Sequence, residues 1–317
     1  MMGRWLPNWV TPGVIRAAQF ALAALLLALL WRTLDGQEAA RSLASAEPAW
    51  LAAALGALTL QTGLSALRWR MTAAQLGIGL SRGEALREYY LGQALNLSLP
   101  GGMIGDAGRA LRARGQAGLM ASGQAVVFER LAGQGGLYLV TAGAFVLTLA
   151  VPGGVEWPRW LIPPLALFLL AGLALPVCLY GLARAPGRLG AAAATFWRDM
   201  HRALLAREVL LRQIGLSLAT TLCNLAAFAF CAMAVGHGLP LAAVLAFVPL
   251  ILMAMLIPLT VSGWGLREGA AAALFPLAGG VASGGLAASV AFGLVMIVAT
   301  LPGLYFVLGR GPRGLRP

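Results

Sequence analysis

Between Arg212 and Arg267 the chain carries no charged side chain at all, and between Glu268 and Arg310 it carries none again. A helix that crosses a bilayer needs about 20 apolar residues, so each run supplies at least one crossing. Soluble domains carry roughly a quarter charged residues; this chain of 317 residues has 11% charged and 60% apolar. The sequence therefore predicts a single all-α domain over 1–317, a polytopic integral membrane helix bundle. The lipid core leaves irregular backbone few places to go.

All 23 basic residues are arginine, against 11 acidic ones, giving a net charge of +12. In a polytopic chain this charge speaks of topology and anionic lipid headgroups, not nucleic acid. Without lysine there is no Schiff-base chemistry. Cys178, Cys223 and Cys231 sit in apolar runs without metal-ligand spacing, and the histidines are His201 and His237. No cofactor or metal is expected, and with no nucleophile constellation the chain is not expected to be an enzyme.

Full spans are predicted at 17–31 (an uncleaved first helix), 48–67, 131–155, 160–183, after Arg212, and at 284–308. Two further segments are broken. The first runs from Tyr89 to Gly105 and is interrupted by Pro100, Gly101 and Gly102. The second covers 241–280, with Pro249, Pro258 and the run Ser262-Gly263-Trp264-Gly265 ahead of Arg267 and Glu268. Placing arginines on the cytoplasmic side makes the first break re-entrant and puts both termini in the cytoplasm. The plan is six spans plus two hairpins, or eight spans if the second hairpin crosses. Span, span, hairpin, span occurs in 14–155 and again, inverted, in 160–308. Secondary transporters share that layout.

Intramembrane ionisable residues suggest function. Asp106 can cap a helix behind the Pro100–Gly102 break, with Arg109 one turn on, able to grip a phosphate. Glu129 and Arg130 open a span, with Gly133, Gly135 and Gly136 suited to close packing. Arg267 and Glu268 are the counterpart pair, behind Ser262, Gly263 and Trp264. Tyr89, Tyr90 and Trp264 read more readily as interfacial anchors than as headgroup platforms.

Leu67-Arg68-Trp69-Arg70, Leu95–Gly102 with Gly105-Asp106, Phe128-Glu129-Arg130-Leu131 and Ser262–Gly269 together resemble the lysylphosphatidylglycerol synthase transmembrane-region family, the flippase-like domain of the multiple peptide resistance factor. The resemblance spans about residues 60–305. It implies a bacterial inner-membrane protein that moves an anionic, aminoacylated or polyprenyl-type lipid between leaflets, here without the lysyl-transferase domain. Lipids are then its partners, and Pro100, Gly101, Gly102, Asp106, Arg109, Glu129, Arg130, Ser262, Gly263, Trp264, Arg267 and Glu268 its candidate binding residues. The alternative is a scaffold that binds a lipid-synthesis enzyme through the arginine-rich loop 184–212.

Overall fold

Long apolar stretches without intervening charge leave the backbone to satisfy its own hydrogen bonds, and the helix does so within one segment. In a computed structural model that describes residues 12–98, 103–150, 155, 157–257 and 259–308, the described residues form helices and no strand. The chain is an all-α polytopic bundle. Five of the described helices are long and apolar enough to cross a membrane: α3 (Pro48–Gln75), α5 (Ile104–Ala150), α6 (Ile162–Leu182), α8 (Arg207–Ala234) and α11 (Ala282–Leu308). A bent pair of helices is a sixth candidate. Helix α1 (Pro12–Thr33) turns by 96° into the short amphipathic α2 (Gly36–Ala44). Asp35 makes that corner, with a left-handed backbone and its carboxylate accepting from the Glu38 N–H.

The first broken segment is a hairpin of α4 (Arg82–Ser98) and the beginning of α5. A reciprocal cap starts α4: Ser81 Oγ accepts from Glu84 N–H, and Glu84 Oε2 accepts from Ser81 N–H at 2.8 Å, a capping box. Those bonds hold the exposed Glu84 carboxyl below its ordinary range. Helix α5 is not one rod. Gly118 has φ 82° and ψ 168°, a backbone region essentially restricted to glycine, and it separates a short arm, 104–117, from the long span that follows. At 1.5 Å per residue the two hairpin arms reach about 25 and 21 Å, short of the ~30 Å hydrocarbon core. Pro100, Gly101 and Gly102, the predicted break, lie outside the described residues.

The hairpin arms cross closely. Gly105 donates its N–H to Asn96 Oδ1 at 2.7 Å, and a Cβ added at Gly105 would sit 2.0 Å from the Gly92 carbonyl oxygen. Backbone cannot yield as a side-chain tip can. Gly105→Ala is expected to cost about 2–3 kcal/mol by overpacking, read as a lower thermal midpoint in detergent; an unchanged midpoint would remove this crossing as a constraint.

The second broken segment is α9 (Leu241–Met253), two 3₁₀ turns (Ala254–Leu256 and Val261–Gly263) and α10 (Leu266–Leu274). With 13 and 9 residues its arms reach about 20 and 13 Å. Neither is long enough to cross, which favours the hairpin over a pair of crossings. Ser262 at its tip has φ 51°, and the glycines that follow have φ 76° (Gly263) and 86° (Gly265). A left-handed serine is uncommon, and here its hydroxyl bridges to the other hairpin. Ser262 Oγ donates to the carbonyls of Asn96 and Leu97, each at 3.2 Å. The last turn of α4 leaves such carbonyls without helical partners. The tip of the second hairpin thus caps the end of α4.

Central helices α3 and α8 pack along each other, α4 lies against α11, and α9 lies against α5. An apolar core including Leu58, Phe145, Phe228, Phe247, Phe275 and Phe292 fills one part of the bundle. Toward the C-terminal half of α3 the contacts become polar: Thr62 to Gln93 at 3.1 Å, Arg68 to Thr220 at 2.8 Å, Gln213 to Thr72 at 2.9 Å. Amphipathic α7 (Arg188–Met200) closes this end, with Phe196 edge-on to Phe128 and Asp199 accepting from Gln124.

Candidate functional site

A charged side chain in the bundle interior is held only where opposite charge and hydrogen bonds replace water. Five charged residues and a tyrosine converge from three of the described helices. Arg68 of α3 donates to Glu129 Oε1 at 2.7 Å and to Thr220. Tyr89 of α4 donates to the same carboxylate oxygen at 3.1 Å. Arg109 of α5 lies 3.6 Å from Glu129 Oε2 and 2.5 Å from Asp106 Oδ1. Arg130 completes the cluster by pairing with Asp106 Oδ2. Arg68, Asp106, Arg109 and Glu129 are all at most 5% exposed.

The local sequence explains this convergence. Asp106 and Arg109 are one turn apart on the short arm of α5 and therefore share a face. Glu129 and Arg130 are adjacent on the long arm, so one faces α3 and the other turns back toward Asp106. Arg109 is held between aromatic faces, its guanidinium carbon 5.0 Å from the Trp69 ring centre and 4.5 Å from that of Tyr89. Such cation–π contacts contribute about 2 kcal/mol when desolvated. Tyr89 and Tyr90 are buried. The interfacial-anchor reading therefore does not hold for them, because both side chains are buried within the bundle and Tyr89 is engaged by Glu129 and Arg109.

This cluster forms the polar wall of a cavity of about 370 Å³, within the ~300–1,000 Å³ of small-ligand sites. Arg68, Tyr89, Glu129 and Arg130 border it, with Gln61, Gln93 and Asn96 from α3 and α4, Gln134 from α5, and Thr220, Thr221 and Asn224 from α8. The remaining lining is largely apolar: Leu137 from α5, Leu252, Met255 and Leu256 from α9 and the turn after it, and Phe292 and Met296 from α11. Charged groups, amides and hydroxyls thus share the cavity with apolar side chains. Ser262 lines it together with Asn96 and Leu97, the end of α4 that its hydroxyl caps.

Among the predicted residues, Glu129, Arg130 and Ser262 line the cavity, while Asp106 and Arg109 brace the first two from behind. Gly263, Trp264, Arg267 and Glu268 are gathered elsewhere, in a closed cluster beside it. Arg267 and Glu268 are 0% exposed. Arg267 Nη2 donates to Glu268 Oε1 at 2.5 Å and to the Ser289 carbonyl at 3.0 Å, and its Nε to Ser289 Oγ at 2.8 Å. Glu268 Oε2 accepts the Gly265 N–H at 2.6 Å. Trp264 and Phe292 flank the guanidinium at 5.2 and 5.3 Å. These bonds turn inward, so the pair fastens α10 to α11 and offers little to a ligand.

Gly136 serves packing, as its spacing predicts. A Cβ there would lie 2.7 Å from the Ser217 carbonyl oxygen of α8, whereas one at Gly133 would meet the Arg68 guanidinium at 2.8 Å. Gly133 therefore makes room for a charge.

A polytopic helical bundle with a buried ionic cluster beside a cavity defines an integral membrane protein with a polar interior site. The sequence profile of the lysylphosphatidylglycerol synthase TM region family matches residues 16–303, and the chain belongs to that family. No curated protein and no solved structure matches it.

Proposed function

We propose that the chain is a lipid translocase that carries a phosphate-bearing headgroup through this cavity and performs no chemistry on it. One observation carries the reading: an ionic cluster of three arginines and two carboxylates borders, through Arg68, Glu129 and Arg130, a cavity whose remaining lining is largely apolar. In a low-dielectric interior that surplus positive charge attracts an anion strongly. Family membership supports the same reading.

Alternation between leaflets follows from an inverted repeat of 14–155 and 160–308. Several features support it. Each half holds a span, a short amphipathic helix (α2 or α7), a second span, a hairpin and a third span. Exchanging the halves turns the α4–α11 contact into the α9–α5 contact and leaves α3–α8 in its own position. Arginine density on the loops supports a bundle in a bacterial inner membrane with both termini in the cytoplasm. The lipid gradient or the membrane potential then drives net movement.

Proteoliposomes with a fluorescent phosphatidylglycerol, bleached from outside by dithionite, test the proposal. Wild-type protein is expected to accelerate loss of the protected signal, and Gln134→Trp, which fills the cavity from α5, to abolish the acceleration at an unchanged thermal midpoint. Equal movement with and without the tryptophan would overturn the role of the cavity.

A scaffold role is favoured by one separate feature, the arginine-rich end around α7 and the start of α8, which suits a lipid-synthesis enzyme or anionic surface. Crosslinking of such an enzyme, together with no lipid movement, would support that reading.

A further inference from the structure

We infer that the cavity selects a phosphodiester lipid whose remaining headgroup is uncharged and rich in hydroxyls, such as a glycerol or a sugar, and excludes a cationic aminoacyl headgroup. The inference rests on the translocase reading and sharpens it. Both carboxylates of the cluster are already committed. Glu129 faces Arg68, Tyr89 and Arg109, and Asp106 faces Arg109 and Arg130. Glu129 Oε2 makes no hydrogen bond, but it lies 3.6 Å from the Arg109 guanidinium, and each carboxylate is faced by two arginines, so neither has negative charge left uncompensated for an ammonium group. Aromatic faces are the other common receptor for an organic cation, and the two rings that border the cavity are occupied. Tyr89 carries the Arg109 guanidinium and Phe292 carries that of Arg267.

The charge balance points the same way. Three arginines against two carboxylates leave one positive charge, which a phosphodiester monoanion neutralises. A lysyl ester of phosphatidylglycerol brings two ammonium groups with its phosphate and would leave the cavity more positive than before. Beyond the charges, the polar lining consists of neutral amides and hydroxyls, among them Gln134, Asn224, Thr220 and Thr221. Amides both donate and accept, which matches hydroxyl groups and gives no preference to a cation.

Competition binding in phosphatidylcholine nanodiscs decides the matter, with short-chain phosphatidylglycerol and its lysyl ester displacing a fluorescent phosphatidylglycerol. Phosphatidylglycerol is expected to bind about tenfold or more tightly than the ester, the range of one uncompensated charge contact. Asn224→Asp adds a nearly isosteric carboxylate without an arginine assigned to it, and is expected to reduce that ratio at least tenfold or reverse it. Gln134→Glu makes the same change from α5 should the first variant fold poorly.

If the ester binds wild-type protein as well as phosphatidylglycerol does, and Gln134→Trp removes both, the selectivity is wrong while the cavity remains the lipid site. If the preference exists but both acidic variants leave it unchanged, it arises elsewhere and the charge argument fails. If Gln134→Trp changes neither affinity, the cavity is not the lipid site and the translocase reading fails with it.

Discussion

A Glu129→Gln variant is expected to lose lipid movement entirely and to unfold earlier. Glutamine keeps an oxygen for Arg68 and Tyr89 but removes the negative charge that faces Arg68 at 2.7 Å and Arg109 at 3.6 Å. Two guanidiniums then share a buried space with one carboxylate, Asp106, on its far side. Removing one partner of a buried pair costs about 3–5 kcal/mol, much of it the penalty of the charge left behind. Stability alone would not separate structure from function. The double variant Arg68→Leu with Glu129→Leu removes both charges, so it is expected to recover much of the thermal midpoint while transport stays absent. Transport by the single variant at the wild-type rate, normalised to folded protein, would remove Glu129 from the mechanism.

Arg267→Ala is expected to cost about as much in stability, again ~3–5 kcal/mol, for a different reason. It strands Glu268 in a site with no exposure and empties the space between Trp264 and Phe292. Expression and thermal midpoint should fall sharply. The folded fraction, however, should bind phosphatidylglycerol within about twofold of wild type, since separate sites contribute nearly additively. Direct loss of lipid affinity in stable, folded protein would instead return Arg267 to the binding site. The two variants thus divide the intramembrane charges by role, with one cluster turned toward a ligand and the other toward the fold.

Much of the architecture is legible in the chain. Charge-free runs mark the crossings, and the Ser262–Gly265 run marks the second hairpin tip because only permissive residues make a left-handed turn there. The first crossing is less legible. The apolar run predicts a straight helix, and the 96° corner at Asp35 depends on one local side-chain bond. The Gly118 break is hidden among residues that all suit a helix, since a glycine alone does not announce its φ.

In the site, Asp106, Arg109, Glu129 and Arg130 stand out as charges in apolar surroundings. Arg68 does not, because near Arg70 at a helix end it reads as one more topological arginine. The signal for it lies in its neighbours. Thr62, Ser65, Arg68 and Thr72 recur at intervals of three and four on α3, and Gln213, Ser217, Thr220 and Asn224 do so on α8. Two polar stripes on otherwise apolar spans predict two helices facing each other across a polar seam. The division between cavity-lining and closed pairs is not readable locally. For Arg267 it is decided by Ser289, 22 positions further along.

That distance has a bearing on how the protein is made. When Arg267 and Glu268 leave the ribosome, Ser289 is still inside the exit tunnel, so the hairpin tip meets the translocation channel with only part of its final hydrogen bonding. Adjacent opposite charges let it enter as a neutral unit, but Arg267 finds its remaining partners only when α11 arrives. Helix α11 therefore completes the second hairpin. A chain released before residue 289 would hold its second hairpin unfinished, and quality-control proteases would meet it in that state.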